Sequence, residues 1–310
     1  MTVARNGFGL ALDLLEGIDC EGLSAGHGAG RRPPTVVRPA EPGRLDRAWP
    51  AGQARVTREL RIGGELIFSI AHAVDAGYLL TMPAYGKFLI DPAGGRVACE
   101  PEPSAEWTTA LLVQALPLAC TLRGLEPFHA GGVVLDGEAL MIAGPVTAGK
   151  SSLAAALVAA GARLLSDDVV AVDAPGETIR AHPAAHWLHL RGPAGEAAPR
   201  LRPAGTLEGR RRYAAPLAAG PAPLRAVYLL TPPGDETATI APEPRPAVAL
   251  LASTYNLSVR EPARLGRQLE LVHRMAATLA INRISMRPGT DAPRLAQLIQ
   301  RHFESEVRGG

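Results

Sequence analysis

Three groups of residues carry types and spacings that could do chemistry. The first is Gly144-Pro-Val-Thr147-Ala148-Gly149-Lys150-Ser151-Ser152, which fits the pattern Gly, four residues, Gly-Lys-Ser/Thr. In such a loop, backbone N–H groups and the first helical turn cradle phosphate oxygens. Lys150 can reach the outer phosphates, and the Ser151 hydroxyl can ligate Mg²⁺. The second group is Asp167-Asp168, set between the apolar runs Ala162–Leu165 and Val169–Val172. Two adjacent carboxylates between apolar segments are costly unless they bind something. Near a phosphate loop that something is Mg²⁺ and a proton. The alternative is a solvated turn of the kind aspartate favours. The third is His129, in Phe128-His-Ala-Gly-Gly-Val133.

Lysine use sharpens the first reading. Lys87 and Lys150 are the only lysines, and every other basic side chain is arginine. A chain that uses arginine almost everywhere keeps lysine where a compact ammonium must fit beside phosphates.

The elements around these residues suit the task. Met141-Ile-Ala143 reads as a strand end and Ser151–Ala160 as a helix stopped by Gly161, the strand–loop–helix context the motif needs. Asp136-Gly137 between two apolar runs is a hairpin signal. A two-residue loop makes paired residue numbers sum to 273, which puts His129 across from Gly144. Residues 58–98 have a β texture and predict an antiparallel sheet, and a helix follows over 106–122 with Ser104 as its cap. Phe8–Leu15 reads as a short strand or helix. The stretch 24–53, rich in Gly, Pro and Arg, reads as a long flexible connection. Residues 191–212 hold six arginines interleaved with Gly and Pro, which reads as a basic loop able to close on phosphates through Arg191, Arg210 and Arg211, or as a solvated loop. Strands at 185–190, 224–230 and 282–286 and helices at 246–255, 262–279 and 292–303 complete the chain. The division expected is a β-rich region over 1–124 and a catalytic domain over 125–310.

The bulk properties exclude several classes. The chain has 310 residues, a net charge of +2 and 47% hydrophobic residues. That balance argues against nucleic acid or membrane as the main partner, and no apolar run reaches a membrane span. Cys20, Cys99 and Cys120 are odd in number and lack ligand spacing, so they read as thiols of a reducing cytoplasm.

The order of these motifs resembles the catalytic domain of HPr kinase/phosphorylase and its stand-alone relatives, such as the lasso-peptide precursor kinases. Phe-His129-Ala-Gly-Gly-Val, the hairpin, the loop and Gly161-Ala-Arg-Leu-Leu-Ser-Asp167-Asp168 carry the resemblance, over about 125–175. It implies an α/β fold with α+β character, a hairpin feeding the phosphate loop, and an ATP- and Mg²⁺-dependent kinase acting on a serine of a peptide or protein. It implies Asp167 as proton acceptor, Asp168 and Ser151 at the metal, His129 helping to set up the site, and a homo-oligomer. Three departures stand out. Thr147 replaces a usual glycine; His189 stands where the family has a metal-site glutamate, two residues before Arg191-Gly192; and the later arginine motif is reduced to Arg245. The competing readings are a nucleotide-binding regulatory module, a small-molecule hydroxyl kinase and a pyrophosphate-using enzyme.

Overall fold

The computed structural model describes residues 1–15, 18, 20, 22–25, 33–102, 106–191, 199–207, 209–231, 238–255, 258–286 and 291–308. The chain forms two compact units, Met1–Glu126 with Asn256–Leu265, and Pro127–Tyr255 with Gly266–Gly310.

The first unit is built on a nine-stranded sheet. Its strands are β1 (Thr2–Gly7), β2 (Leu10–Leu15), β3 (Ser24–Ala25), β4 (Thr35–Pro39), β5 (Arg55–Ile62), β6 (Glu65–Ala73), β7 (Gly77–Met82), β8 (Gly86–Ile90) and β9 (Arg96–Pro101), in the order β3-β1-β2-β4-β9-β8-β7-β6-β5. From β5 to β9 it is an antiparallel meander, whose short apolar segments and intervening turns make it legible in the sequence. The reading of 24–53 as one long connection is corrected. Thr35–Pro39 inserts as β4, parallel to both β2 and β9, and Arg44–Ala48 forms a short helix, α1. Two parallel neighbours supply the hydrogen bonds of β4, and Val37 is fully buried between them. Phe8–Leu15 is a strand from Leu10 onward, not a helix. A helical run, α2 over 107–122, closes the meander. The cap read at Ser104 lies outside the described residues.

Inside this unit Arg264 Nη2 donates to Glu126 Oε1 at 2.7 Å, with both side chains almost fully buried. Breaking such a pair strands a charge in low dielectric, so Arg264→Ala is expected to cost about 3–5 kcal/mol in a urea titration. An isosteric Glu126→Gln with Arg264→Met double replacement should cost much less.

The second unit has a mixed sheet built from β10 (Glu126–Phe128), β11 (Ala130–Leu135), β12 (Glu138–Ala143), β13 (Arg163–Ser166), β14 (Val170–Asp173), β15 (Arg180–His182), β19 (Ala222–Leu230), β20 (Thr239–Pro242) and β21 (Ala280–Ser285). At its centre β12, β19 and β21 run parallel. β12 and β19 are near-continuous apolar runs because both faces are covered. Leu140, Ile142 and Tyr228 face α3 (Lys150–Ala159) and α6 (Ala292–His302). Met141, Val227 and Leu229 share the opposite core with α4 (Pro246–Ala252) and α5 (Pro262–Thr278).

A small separate sheet, β16-β18-β17, joins Trp187–Leu190, Arg210–Ala214 and Arg202–Leu207. It corrects the reading of 191–212 as a basic loop. Tyr213 is buried, and Arg212 stacks its guanidinium over the Trp187 ring at 4.8 Å as a strand residue. Residues 192–198 lie outside the described residues. All three cysteines are free and buried, and burial raises the thiols of Cys99 and Cys120 out of the reactive range. Among the described residues no helix is long and apolar enough to cross a membrane.

Candidate functional site

β11 does the positioning. It pairs with β12 on one side and β13 on the other, so the loop after β12 and the aspartates after β13 are brought to the same end of the sheet. The β11–β12 ladder runs from Leu135↔Glu138 to Ala130↔Ala143, the sum of 273 that a two-residue Asp-Gly loop requires. The ladder stops one pair short of His129 and Gly144. The His129 N–H instead donates to Ser253 O at 2.7 Å. Gly132 lets β13 and β14 close in, since a Cβ there would meet Val170 Cγ2 at 3.0 Å.

The loop leaves β12 at Gly144. Its φ is +148°, and a Cβ would sit 2.7 Å from Leu230 O on β19. Gly144→Ala is therefore expected to push the loop off β19, lowering the melting temperature and weakening nucleotide binding together. Thr147 has φ +71° and Gly149 φ +93°. The position where the threonine departs from the usual glycine thus holds left-handed backbone, a strained conformation for a β-branched residue. Ala148 and Gly149 lead into α3, which starts at Lys150 with Ser151 and Ser152 in its first turn. Lys150 is buried and donates to Gly144 O at 2.9 Å and Pro145 O at 3.0 Å, folding back across its own loop. Burial lowers its pKa, while the charges of Asp168 and then Asp167 oppose that shift.

Asp167 is the most constrained group here. Oδ1 accepts from Ser151 Oγ at 2.8 Å, and Oδ2 accepts from the His189 backbone N–H at 3.1 Å. The carboxyl is fully buried, and burial, then the charge of Asp168, push its pKa up to about 7 against the opposing pull of those donors. Val169 N donates to Asp167 O at 2.8 Å across Asp168, whose φ is +66°. Ala130 N holds this tight three-residue turn to β11 through Asp168 O at 3.1 Å. The strain at Asp168 is the kind found at functional sites.

His129 engages the backbone of Asp168, not the Asp167 carboxylate. Its pKa is lowered by burial and by Lys150, and raised by Asp168. Its ring lies 6.3 Å from that of Tyr255. His129, Lys150, Ser151, Asp167 and Asp168 are thus one cluster. The Ser151 hydroxyl meets Asp167.

Arg191, Arg210 and Arg211 lie at one end of the small sheet. Leu190, just before Arg191, pairs with Arg211, and Arg210 pairs with Leu207. His189, two residues from Arg191, is the link to Asp167, with its ring Nδ1 4.0 Å from Asp167 Oδ2. His189 is therefore beside the Asp167 carboxyl, as a backbone donor. Sequence reasoning missed this contact, and it missed Ser253 and Tyr255 behind His129. Both come from segments far away in the chain, with no local pattern to announce them.

Among the described residues no three His, Cys, Asp or Glu side chains cluster as a preformed metal site. The donor set still fits Mg²⁺. This ion takes hard oxygens and commonly uses one or two carboxylates while substrate phosphates complete its shell. Ser151 Oγ donates its hydrogen bond to Asp167, which leaves its lone pairs for a cation.

No family model matches the chain, and no curated protein matches it. Among solved structures, the Hpr(Ser) kinase/phosphatase from Coxiella burnetii is similar over 58% of this chain and 92% of its own, at 16% identity and a TM-score of 0.31.

Proposed function

We propose that the protein is an ATP- and Mg²⁺-dependent kinase that phosphorylates a serine hydroxyl of a peptide or protein, in the cytoplasm. The observation that carries this reading is the contact of the phosphate-loop serine with a buried carboxyl of raised pKa, Ser151 Oγ to Asp167 Oδ1 at 2.8 Å. A module that only binds nucleotide has no need of a buried proton acceptor at the loop.

The loop N–H groups and Lys150 hold the β- and γ-phosphates. Ser151 and Asp168 would hold Mg²⁺, which would supply positive charge to offset that of the phosphates. Asp167 takes the proton of the acceptor serine as its oxygen bonds to the γ-phosphorus and the bond to the β-phosphate bridging oxygen breaks, releasing ADP. The barrier is lowered mainly by positioning and by preorganised charge. Burial, and the charge of Asp168 where Mg²⁺ does not offset it, keep Asp167 basic, and His129 holds the turn that carries both through the Asp168 backbone. Arg191, Arg210 and Arg211 are offered as contacts to the acceptor or departing phosphate. The preferred acceptor is the precursor of a ribosomally made peptide of the lasso type.

Mass spectrometry after incubation with ATP, Mg²⁺ and peptides encoded beside the gene tests the reading. A gain of about 80 Da on one peptide is the phosphoryl group expected from this transfer. Tight ATP binding with no transfer to any peptide or small hydroxyl compound would leave a regulatory module instead.

A further inference from the structure

The second unit holds a cleft of about 670 Å³ that shares no residue with the phosphate loop or the aspartate pair. Its size is that of a small-molecule site. The walls come from the end of β20, the start of β21, the end of α5 and the helical turn Phe303–Val307 that continues α6. Ile240, Pro242, Leu279, Ile281 and Val307 supply apolar surface.

Asn282 is the polar group that the fold leaves unserved. It is only 5% exposed, it lines the cleft, and its Nδ2 has no hydrogen-bond partner. The register explains why. Across the ladder on β20 stands Pro242, which brings no polar side chain. Across it on β19 stands Tyr228, whose hydroxyl is engaged with His302 Nδ1 at 3.1 Å. A buried amide without a partner costs stability, and native folds rarely keep one without a use for it.

Two carboxylates give the cleft its charge. The Glu243 N–H donates to Ile281 O at 2.9 Å, which pins this residue at the start of β21, and its Oε1 accepts from the Arg245 N–H at 3.0 Å. Glu243 is half-buried, and Glu306 stands exposed at the rim. None of the described residues lining the cleft is lysine or arginine. Burial lowers the His302 pKa against the opposing charge of Glu306, so the imidazole adds no cation at neutral pH. The guanidinium of Arg308, just beyond Val307, is tied to Asp136 and Glu138. An occupant therefore meets two negative charges, an apolar wall and one amide in want of a partner.

We propose that this cleft binds a small organic cation, with an ammonium group held by Glu243 and Glu306, a branched apolar body against Ile240, Leu279 and Val307, and a hydroxyl or carbonyl oxygen accepting from Asn282. The carboxylates at the rim draw the cation in, and the buried amide selects among amines. This ligand is separate from the nucleotide and the acceptor, and its binding does not depend on the kinase reading.

The test uses the full chain and leucinol, which carries an ammonium, a branched apolar body and a hydroxyl. Calorimetric titration should show saturable binding. Isohexanol, the same molecule without the ammonium, should bind about tenfold or more weaker, and leucinol should lose as much in the Glu243→Gln/Glu306→Gln protein. Asn282→Leu should weaken leucinol about fivefold or more but leave isoamylamine, which lacks the hydroxyl, unchanged. The same variant should melt higher than the wild type without ligand, because it removes an unserved amide from a buried position, and that melt also shows it to be folded. Circular dichroism checks the fold of the double variant. Lys150→Ala should bind leucinol as the wild type does, so failure of the nucleotide site and failure of this cleft are read separately. No saturable binding up to about 10 mM, equal binding of leucinol and isohexanol, or wild-type affinity in either variant would overturn the proposal. Binding of an end-blocked Lys-Leu-Lys-Leu peptide without binding of leucinol would assign the cleft to a protein partner and overturn it as well.

Discussion

Asp167→Asn is expected to lower phosphoryl transfer by about 10²–10⁴-fold, the usual contribution of a positioned base, while making the ligand-free protein more stable above neutral pH. The second half follows from linkage. In the folded chain the Asp167 pKa is raised from 3.8 to about 7, chiefly by burial. A group raised in this way contributes stability that is fully present below its unfolded value and is lost as pH rises through its folded value. Between about pH 4 and pH 7 the native protein keeps a proton that the unfolded chain has released, so wild-type stability falls across that window. Asparagine has no proton to lose. The stability difference between variant and wild type should therefore grow from pH 4 to pH 7 and level off above. About 1.4 kcal/mol per unit sets a ceiling near 4 kcal/mol, and the neighbouring Asp168 makes about half of that the reasonable expectation. Thermal melts at several pH values and single-turnover assays check the two halves. A variant that transfers phosphate at the wild-type rate would remove Asp167 from the reaction. A pH-independent stability difference would show that its carboxyl is not held protonated.

Lys150→Ala should abolish detectable transfer, a loss of at least about 10²–10³-fold, the cost of removing one preorganised charge from a transition state rich in negative charge. It should do so without unfolding the chain. The Lys150 ammonium spends its hydrogen bonds on Gly144 O and Pro145 O of its own loop, and burial already lowers its pKa. Its removal relieves a partly desolvated cation and leaves the helix of Lys150–Ala159 otherwise intact. The melting temperature without nucleotide should therefore change little, whereas the shift produced by Mg–ATP should shrink sharply. Lys150→Arg should not rescue transfer, since a planar guanidinium cannot occupy a niche shaped for a compact ammonium. Wild-type transfer by Lys150→Ala would refute the nucleotide site. An unchanged ATP-induced shift would place the nucleotide elsewhere.

Local order makes part of this protein legible from its residues alone. The Asp136-Gly137 turn determines the register of its hairpin because side-chain period and loop length leave one pairing, and the ladder from Leu135↔Glu138 to Ala130↔Ala143 follows it. The apolar run Glu138–Ala143, the loop and the Ala-rich helix after it are neighbours in the chain, so local propensity and spacing suffice to name Lys150 and Ser151. The meander of the first unit is readable for the same reason, since each strand pairs with the next. Tertiary structure decides what no window of the sequence holds. That Ser151 meets Asp167, that the His189 N–H meets its other oxygen, and that His129 holds the Asp168 backbone depend on strands separated in sequence being adjacent in one sheet. The strand at Thr35–Pro39 is hidden because its partners, on β2 and β9, lie far away along the chain. The arginine-rich hairpin is hidden because Arg212, which reads as polar, packs over the Trp187 ring of a strand more than twenty residues away. The raised pKa of Asp167 belongs to the same class. A carboxyl's charge is a property of its surroundings, and here burial and a second carboxylate supply them.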